Sequence, residues 1–354
     1  MENAAFQFVT EGKPLSCEPY GFGHINRTFL LKTDAGKRYI LQRINSSVFP
    51  DVKGLMENIS AVTEFISARV KSSRECLHLV PCRQGGACYD DGQGGYWRMY
   101  DFIEDSLCLQ LPERPEDLYE SAVAFGSFQS SLASFPAEKL HETIKDFHNT
   151  PDRYRKFHLA LEKDALGRAD GVREEIAFVL SREEEAAALQ KLRESGRLPL
   201  RVTHNDTKLN NVMLDAESRK ALCVIDLDTV MPGLVAYDFG DSIRFGAATA
   251  QEDERDLSLM SMDLGLFETY ARGFLGACPD LTELEKKTLP LGAKLMTLEC
   301  GLRFLTDYLE GDSYFAVSRP GHNLDRARTQ FKLVADMESK WDEMNNIIER
   351  LMEE

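Results

Sequence analysis

The sequence predicts an α+β protein with a small β-rich N-terminal lobe and a large, mainly helical C-terminal lobe. Up to about residue 100, short apolar runs are separated by Gly and Asp turns, which is the pattern of strands. From about residue 115 onwards, apolar residues recur at the three- and four-residue spacing of helices. The composition changes near Tyr100–Asp105, so the predicted lobes comprise residues 1–102 and 103–354.

The N-terminal lobe is predicted to contain several strands and one helix. The stretches EPYGFGHINRTFLLKT and KRYILQRIN predict three strands, joined by a Gly turn and by the turn Asp34–Gly36. In residues 47–70, apolar side chains line one face of a predicted helix. Two further strands are expected, one in HLVPCR and one across ACYDD and YWRMYDFIE.

The C-terminal lobe is predicted to consist of helices around one β island. Helices are expected at residues 116–135, 152–166 and, with many charges, around 172–195. The island comprises the strand PLRVTH and a hairpin formed by NVMLD and ALCVIDLD. Polar residues cluster where these strands end, so rigid elements can hold their side chains around one point.

Composition and charge limit the classes of function. The chain has 354 residues, of which 43% are hydrophobic and 28% charged, and its formal net charge is −16. This charge argues against a nucleic-acid partner, which requires a basic face. The stretch MENAAFQFVTEG has no signal-peptide pattern, and no run approaches the ~18–20 apolar residues of a membrane span. We therefore expect a cytoplasmic protein without a membrane partner, and the sequence leaves the oligomeric state open.

Two polar clusters in the β island have the composition of a phosphoryl-transfer site. Asp206 is expected to orient a substrate hydroxyl and accept its proton, while Asn211 and Asp226 supply oxygen ligands for Mg²⁺. The Asp-to-Asn spacing equals that of the protein-kinase pattern H-R-D-x-x-x-x-N. Lys208 is expected to neutralise the transferring phosphoryl group, with a solvated loop lysine as the alternative. His204 is expected to brace the loop by hydrogen bonds.

The same region resembles the aminoglycoside phosphotransferase/choline kinase family, in particular its N-acetylhexosamine 1-kinases. The resemblance rests on HNDTKLNNVMLD, VIDLDTVMPGLVAYDFGDSIRFGA and GLRFLTDYLEGDSYF. It implies a protein-kinase-like bilobal fold, with residues 1–102 as the nucleotide-binding lobe and residues 103–354 as the catalytic and substrate-binding lobe. It also implies ATP and Mg²⁺ as cofactors and a small-molecule sugar as the substrate.

The implied reaction phosphorylates the anomeric hydroxyl of an N-acetylhexosamine, GlcNAc or GalNAc, with ATP. This hydroxyl is more acidic than an ordinary alcohol, so positioning and charge neutralisation carry most of the catalysis. Two alternatives stay open: a kinase for another hydroxyl compound (a different sugar, an amino alcohol or an aminoglycoside) and a catalytically inactive kinase-like binding module. A protein kinase is disfavoured because residues 240–260 lack an A-P-E segment.

The triplet Asp238-Phe239-Gly240 spells the metal-binding motif of protein kinases. In the resembled family the metal-binding aspartate ends the hairpin, which assigns the metal to Asp226 instead. Asp238 is therefore expected to cap a helix or to brace backbone NH groups. Asp228, next in phase along the strand, is expected to meet substrate or metal, with a turn residue as the alternative.

A Gly-rich turn in the N-terminal lobe is a candidate phosphate-covering loop. Gly21 and Gly23 form a G-x-G-x-x-N pattern, which also fits an ordinary hairpin turn. The resemblance implies that His24, at the tip of the loop, reaches the sugar.

The third strand lacks the lysine that kinases use to hold nucleotide phosphates. Gln42 stands where the family has a basic residue, and Arg43 follows one place later. A one-residue offset changes the face of a strand. Either Arg43 serves through a local bulge, or the metal and the Gly-rich loop hold the phosphates. Glu57 is the candidate partner for a cation there, with a solvated helix residue as the alternative.

Position along the chain assigns the remaining binding residues. YWRMYDFIED is expected to join the lobes, with adenine bonded to the backbone near Tyr100 and Phe102. Arg303 lies among apolar residues and must therefore contact a ligand or form an ion pair, for instance with Asp307 at i,i+4. The residues expected on the substrate side are Phe245, Arg303 and Tyr314.

The eight cysteines are scattered without a C-x-x-C motif, which is typical of a reducing compartment. One local group, Cys76, His78, Cys82 and Cys88, has the residue types of a zinc site. Its spacing is irregular, and buried structural cysteines are the favoured interpretation.

Overall fold

A five-stranded antiparallel sheet forms the N-terminal lobe. The computed structural model of the chain describes residues 2–21, 23 and 25–354. The strands follow the spatial order β1-β2-β3-β5-β4, and the helix α2 lies against the sheet. The elements of this lobe are α1 (Glu2–Ala5), β1 (Pro14–Pro19), β2 (Arg27–Thr33), β3 (Arg38–Ile44), α2 (Val52–Ser67), β4 (Tyr89–Asp90) and β5 (Tyr96–Asp101).

The two faces of this sheet belong to two different cores, because side chains alternate along each strand. One face packs under the first residues of the chain and is lined by Phe29, Leu31, Leu41, Trp97 and Met99. The other face packs on α2 through Ile44 and Tyr100, and its core extends into the C-terminal lobe. Each fully buried Leu or Ile in such a core contributes roughly 1.5–3 kcal/mol.

The helix α2 is fixed at its start and in its middle. The Asp51 side chain caps it by accepting from the N–H of Gly54 at 2.9 Å. Buried Asn58 donates to the carbonyl oxygens of His141 at 2.8 Å and Val230 at 3.0 Å. Both acceptors lie beyond residue 102, in the predicted C-terminal lobe, so one amide side chain holds the helix to that lobe.

The C-terminal lobe is mainly helical and carries two small sheets, β6-β8-β9 and β7-β10. The strands are β6 (Ser106–Cys108), β7 (Arg201–Thr203), β8 (Val212–Asp215), β9 (Ala221–Val224) and β10 (Met231–Gly233). The helices are α3 (Pro115–Ser131), α4 (Thr150–Lys163), α5 (Arg173–Leu180), α6 (Glu183–Ala186), α7 (Ala188–Glu194), α8 (Val235–Gly246), α9 (Leu264–Ala277), α10 (Glu283–Lys287), α11 (Leu289–Glu310), α12 (His322–Ser339) and α13 (Trp341–Glu353). No helix within the described ranges has the length and apolar character that crossing a membrane requires.

A close contact between α8 and α11 explains the glycine of the Asp-Phe-Gly triplet. A Cβ atom on Gly240 would lie 2.4 Å from the carbonyl oxygen of Gly292, and one on Gly292 would lie 2.2 Å from that of Ala236. Neither backbone can move away without separating the helices. The triplet's glycine therefore serves helix packing here, and α8 in turn supports the loop described below.

The predicted α+β, two-lobed architecture is confirmed, with two local corrections. The segment HLVPCR forms no strand and makes only isolated bridges at Leu79 and Cys82, since Pro81 has no N–H for a ladder. The charged segment around 172–195 is not one helix but α5, α6 and α7. The Tyr154 hydroxyl donates a hydrogen bond to the Val179 carbonyl oxygen at 2.8 Å, close to the end of α5. The lobe boundary at residue 102 stays a prediction.

The cysteine group near residue 80 has the character of core packing. Cys76 and Cys82 are buried, and the Cys76 thiol donates to the Thr63 carbonyl oxygen at 3.4 Å. Burial raises the pKa of the Cys76 thiol to about 12, which favours the neutral thiol. Among residues 2–21, 23 and 25–354, no three His, Cys, Asp or Glu side chains are arranged to hold a metal ion.

Candidate active site

Asp206 lies on a loop between β7 and β8 and is the centre of a small polar group. Its carboxylate oxygens accept from Asn211 Nδ2 at 3.1 Å and pair with Lys208 Nζ at 2.7 Å. Asn211 Nδ2 also donates to the Asp206 carbonyl oxygen at 2.8 Å. Burial opposes the charge of Lys208, but Asp206 and then Asp241 outweigh it and raise the pKa of the ammonium group. The side chain therefore stays cationic beside the carboxylate.

The buried carboxylate of Asp238 holds the start of this loop from behind. It accepts from the N–H groups of His204 at 2.9 Å and Asn205 at 2.8 Å, and from Gln129 Nε2 at 2.7 Å. Asn205 has a left-handed φ of 65°, a strained conformation that these bonds maintain. The prediction that Asp238 braces backbone NH groups is confirmed.

The predicted bracing role of His204 is also confirmed. Its ring is fully buried, its Nε2 bonds the Ile225 carbonyl oxygen at 2.9 Å, and its Nδ1 accepts from the Asp206 N–H at 3.3 Å. The Phe125 and Phe128 rings meet it edge-on. The imidazole thus links the Asp206 loop to the end of β9.

The next turn of α8 supports the same loop with a second buried carboxylate. Asp241 accepts from the Thr207 N–H at 3.0 Å and pairs with Arg244 at 2.9 Å, both side chains being less than 10% exposed. The Ser242 hydroxyl donates to the Thr207 carbonyl oxygen at 2.7 Å. One face of α8 therefore fixes three residues of the loop, His204, Asn205 and Thr207.

The two candidate metal ligands are neighbours because of the hairpin register. Val212 pairs with Val224, and the Ile225 N–H donates to the Asn211 carbonyl oxygen at 2.9 Å. This places Asp226, with a left-handed φ of 59°, one residue beyond the contact. Within the described part of the chain, no hydrogen-bond donor engages the Asp226 carboxylate or Asn211 Oδ1, so these oxygens are free to bind a hard cation.

The Asp226 carboxylate lies in an unusual electrostatic environment. Asp226 is exposed to solvent, although neighbouring protein atoms partly dehydrate its carboxylate. Dehydration first, and then repulsion from Asp228 and Asp206, raise the pKa of its carboxyl to about 6. A bound cation would relieve this repulsion, so the donor set fits a divalent metal.

Asp228 is buried and already has two partners. Its oxygens accept from Arg98 Nη1, with which it forms an ion pair, and from Asn26 Nδ2. The side chain is 4% exposed. These contacts favour a structural role, and the assignment of Asp228 to substrate stays a prediction.

The bulge that would turn Arg43 towards the phosphates does not form. The register through β3 is continuous on both sides, with Gln42 opposite Thr28 and Arg98, and Arg43 opposite Trp97. Arg43 therefore shares the face of Trp97, with its guanidinium 5.9 Å from that ring, while Gln42 shares the face of Arg98. Sequence reasoning missed Arg98, although a single Arg in the buried run YWRMYD was the available signal.

The expectation that Glu57 pairs with a cation on β3 is wrong. Its carboxylate pairs with His141 Nε2 at 2.7 Å and with Lys53 at 3.7 Å, and its side chain is about half exposed. The residue of α2 that points into the core is its neighbour Asn58.

The Gly-rich turn and the segment joining the lobes are compatible with nucleotide binding. Gly21 has φ 78°, which favours glycine, and nothing lies within 4 Å of a Cβ placed on Gly21 or Gly23. His24 lies outside the described residues, and its sugar contact stays a prediction. Tyr100 is buried, and Phe102 stacks edge-on against Tyr20 at 6.0 Å. The adenine contact also stays a prediction.

Three aromatic rings, one of them that of the substrate-side candidate Tyr314, form a cage around the guanidinium group of Arg303. Among the described residues Arg303 forms no ion pair, and its guanidinium lies 6.0, 5.9 and 5.3 Å from the rings of Phe147, Tyr314 and Phe315. The suggested partner Asp307 instead accepts from three N–H groups of residues 313–315 and from an asparagine. Tyr314 is 72% exposed, so one side of this cage is open.

Phe245 lies between two cations at the other end of the loop. Its ring is 3.9 Å from the Arg244 guanidinium and 5.4 Å from Lys208 Nζ, and the residue is 39% exposed. An aromatic ring next to Lys208 is suitably placed for a substrate contact, which stays a prediction.

A buried histidine connects the Arg303 cage with the Asp206 loop, and sequence reasoning missed it. His148 Nδ1 bonds Glu299 Oε1 at 3.0 Å, and its Nε2 lies 3.3 Å from the Asn205 carbonyl oxygen. Its ring packs on Phe147, the same ring that faces Arg303. His148 and Phe147 therefore form a single layer of side chains between the Arg303 cage and the Asp206 loop.

Comparison with known proteins identifies the family of the chain and structures that share its fold. Residues 16–272 match the model of the phosphotransferase enzyme family. The microcompartment-associated aminopropanol kinase superposes with a TM-score of 0.65 at 16% identity, covering 97% of each chain. An amicoumacin kinase in complex with AMP-PNP and Ca²⁺ gives a TM-score of 0.58 at 14% identity, over 96% of this chain and 92% of that one. The choline kinase of Streptococcus pneumoniae gives 0.53 at 15% identity, over 92% and 94%. Identities this low establish a shared fold.

Proposed function

The chain belongs to the phosphotransferase enzyme family, and on that premise we propose that it is an ATP-dependent kinase for the anomeric hydroxyl of an N-acetylhexosamine. The observation that carries the proposal is the group formed by Asp206, Lys208 and Asn211, with the accessible carboxylate of Asp226 beside it. A proton acceptor, a cation and oxygen ligands for a metal ion are the groups that phosphoryl transfer needs.

In the proposed reaction Asp206 orients the sugar hydroxyl and takes its proton. The hydroxyl oxygen forms a bond to the γ-phosphorus of ATP, the bond from that phosphorus to the bridging oxygen breaks, and ADP leaves with the electron pair. Asn211 Nδ2 and Lys208 hold the carboxylate in place, and Lys208 also offsets negative charge on the transferring group. The buried supports on α8 prevent the loop from relaxing away from the substrate.

The divalent metal would be held by Asp226 and Asn211 Oδ1. Both are hard oxygen donors, and Asp226 lies among like charges that favour cation binding. When bound, the metal neutralises charge on the nucleotide phosphates.

The charge of the substrate side supports a sugar rather than an amine. Aminopropanol and choline carry a cationic nitrogen, which an acidic pocket would attract. The cage next to the Asp206 loop instead holds Arg303, and the nearby Arg153 guanidinium has its pKa lowered by burial first and then by the charge of Arg303. Two neighbouring guanidinium groups repel an ammonium group, while their N–H groups and the aromatic rings suit a neutral sugar with an amide substituent.

A substrate panel tests the proposal. Purified protein with ATP and Mg²⁺ is offered GlcNAc, GalNAc, unmodified hexoses, aminopropanol, choline and an aminoglycoside. We expect phosphorus NMR to show an acid-labile glycosyl phosphate with GlcNAc or GalNAc. An acid-stable phosphate ester, or turnover of an amine in preference to the N-acetylated sugars, would reject the anomeric assignment and favour a kinase for another hydroxyl compound. Absence of turnover with every compound, with nucleotide binding retained, would favour an inactive binding module.

A further inference from the structure

A series of hydrogen-bonded polar side chains crosses one face of the N-terminal sheet at Gln42, the position on β3 where the family has a basic residue. Arg98 Nε donates to Gln42 Oε1 at 2.9 Å, and Gln42 Nε2 donates to Thr28 Oγ1 at 3.0 Å. Arg98 Nη1 pairs with Asp228. The contacts run across β2, β3 and β5 and end on the segment that follows Asp226 in the C-terminal lobe.

Asn26 connects this series of side chains to the Gly-rich turn. Its Nδ2 donates to Asp228, and its Oδ1 accepts from the Asn45 N–H at 3.0 Å. Asn26 lies three residues after Gly23 and two before Thr28. The same carboxylate therefore holds both the sheet and the base of the candidate phosphate-covering loop.

We propose that Arg98 is the positioning residue that replaces the absent lysine of β3. Through its ion pair with Asp228 it holds the Gly-rich turn and the segment that contains Asp226 together, an arrangement that we call the clasp. This inference rests on the proposed function, because it concerns the nucleotide site of that kinase. Arg98 does not need to touch the nucleotide. Its guanidinium group belongs to β5, one strand away from the position of the lysine on β3, and it bonds the Gln42 side chain.

Arg98 and Asp228 depend on each other because both charged groups are buried. Arg98 is 1% exposed and Asp228 4%, so each would be an unpaired buried charge without the other. Asp228 is two residues from Asp226, and its displacement would shift the candidate metal ligand as well as the turn. Arg43 cannot substitute, because it lies on the opposite face of the same sheet.

The test measures the affinity for Mg·AMP-PNP by titration calorimetry, which needs no knowledge of the sugar. We expect Arg98→Gln to weaken binding by about tenfold or more, as for the loss of a residue that positions a metal ligand. Gln42→Lys in the Arg98→Gln background returns a cation to the same face, within reach of Asp228, and is expected to recover most of the loss. Lys32→Gln, which removes an exposed charge from β2, is the matched control and is expected to bind as the wild type does.

The outcomes separate the clasp from the proposed function. Failure of the wild type to bind Mg·AMP-PNP refutes the proposed function and this inference with it. Wild-type binding with unchanged affinity in a folded Arg98→Gln variant overturns the clasp alone, as does an Arg43→Gln variant that loses affinity in its place. Loss in Arg98→Gln without recovery by Gln42→Lys overturns the equivalence to the lysine.

A milder variant covers the case in which Arg98→Gln does not fold. Asn26→Ala removes two hydrogen bonds, the one donated to Asp228 and the one accepted from the Asn45 N–H, and leaves the buried Arg98–Asp228 ion pair in place. We expect a folded, somewhat less stable protein whose binding is weakened by about threefold or more, because the hydrogen bond to Asp228 is lost. Unaltered affinity in Asn26→Ala would overturn the clasp.

Discussion

Replacement of Asp238 by Asn distinguishes a loop support from a metal ligand. The carboxylate accepts three hydrogen bonds in a fully buried position, two of them from the backbone of residues 204 and 205. Asparagine has the same shape, but its amide nitrogen must face one of these N–H groups, donor against donor. The variant therefore loses at least one charge-assisted bond and leaves a buried N–H without an acceptor.

The expected cost can be estimated from those contacts. A lost bond to a charged acceptor and an unsatisfied buried donor together cost about 3–5 kcal/mol. Burial raises the pKa of the Asp238 carboxyl, opposed by His204 and the three donors, so a neutral side chain regains part of this cost. We expect a net loss of about 2–3 kcal/mol in the free energy of unfolding.

Urea denaturation of wild type and Asp238→Asn measures this quantity, with Asp170→Asn as the control. Asp170 is 87% exposed and pairs with Arg173 on the surface, so its loss is expected to change stability by less than about 0.5 kcal/mol. Mg·ADP affinity is measured in parallel and is expected to change less than in Asp226→Asn. Unchanged stability in Asp238→Asn, together with abolished metal-dependent nucleotide binding, would refute the reasoning and make Asp238 the metal ligand.

Two further predictions concern the charges of the site. Asp226→Asn is expected to stabilise the metal-free protein at pH 7 by about 1 kcal/mol. The pKa of Asp226 is raised to about 6, so its protonated form stabilises the fold below the ordinary pKa, and this stabilisation is lost as the pH rises through about 6. Unfolding of both proteins at pH 4 and pH 7 checks this, and a difference that does not grow with pH would contradict it. Arg303→Ala is expected to raise KM for the sugar by about tenfold or more with KM for ATP unchanged, as for the loss of a charged partner of a bound polar ligand. Steady-state kinetics with Arg173→Ala as the surface control measures it, and an equal rise in both constants would argue against a substrate role.

Local spacing predicted the part of the site that lies close together in sequence. Asp206 and Asn211 are five residues apart, and the hairpin that follows brings Asp226 beside them. The expectation for Asp238 came from the resemblance, since in the resembled family the metal-binding aspartate ends the hairpin. For Asp206, Asn211 and Asp226 the geometry follows from one supersecondary unit whose register is set by its own turn.

The contacts that sequence reasoning missed join residues far apart in the chain. Arg98 and Asp228 are separated by 130 positions, and His148 and Glu299 by 151. Periodicity identifies a buried face but not which distant side chain meets it. For the same reason Glu57 was assigned to the wrong partner. The neighbouring residue Asn58 faces the core, whereas Glu57, one position earlier on α2, faces outwards and pairs with His141.

The most direct test of the central claim compares wild type with Asp206→Asn for both turnover and nucleotide binding. With GlcNAc or GalNAc as the acceptor, removal of the proton-accepting carboxylate is expected to lower kcat by about 10²–10⁴-fold while the affinity for Mg·AMP-PNP stays within about threefold of the wild type. Equal turnover in the two proteins would contradict the assignment of Asp206 and, with it, the phosphoryl-transfer site described for this loop.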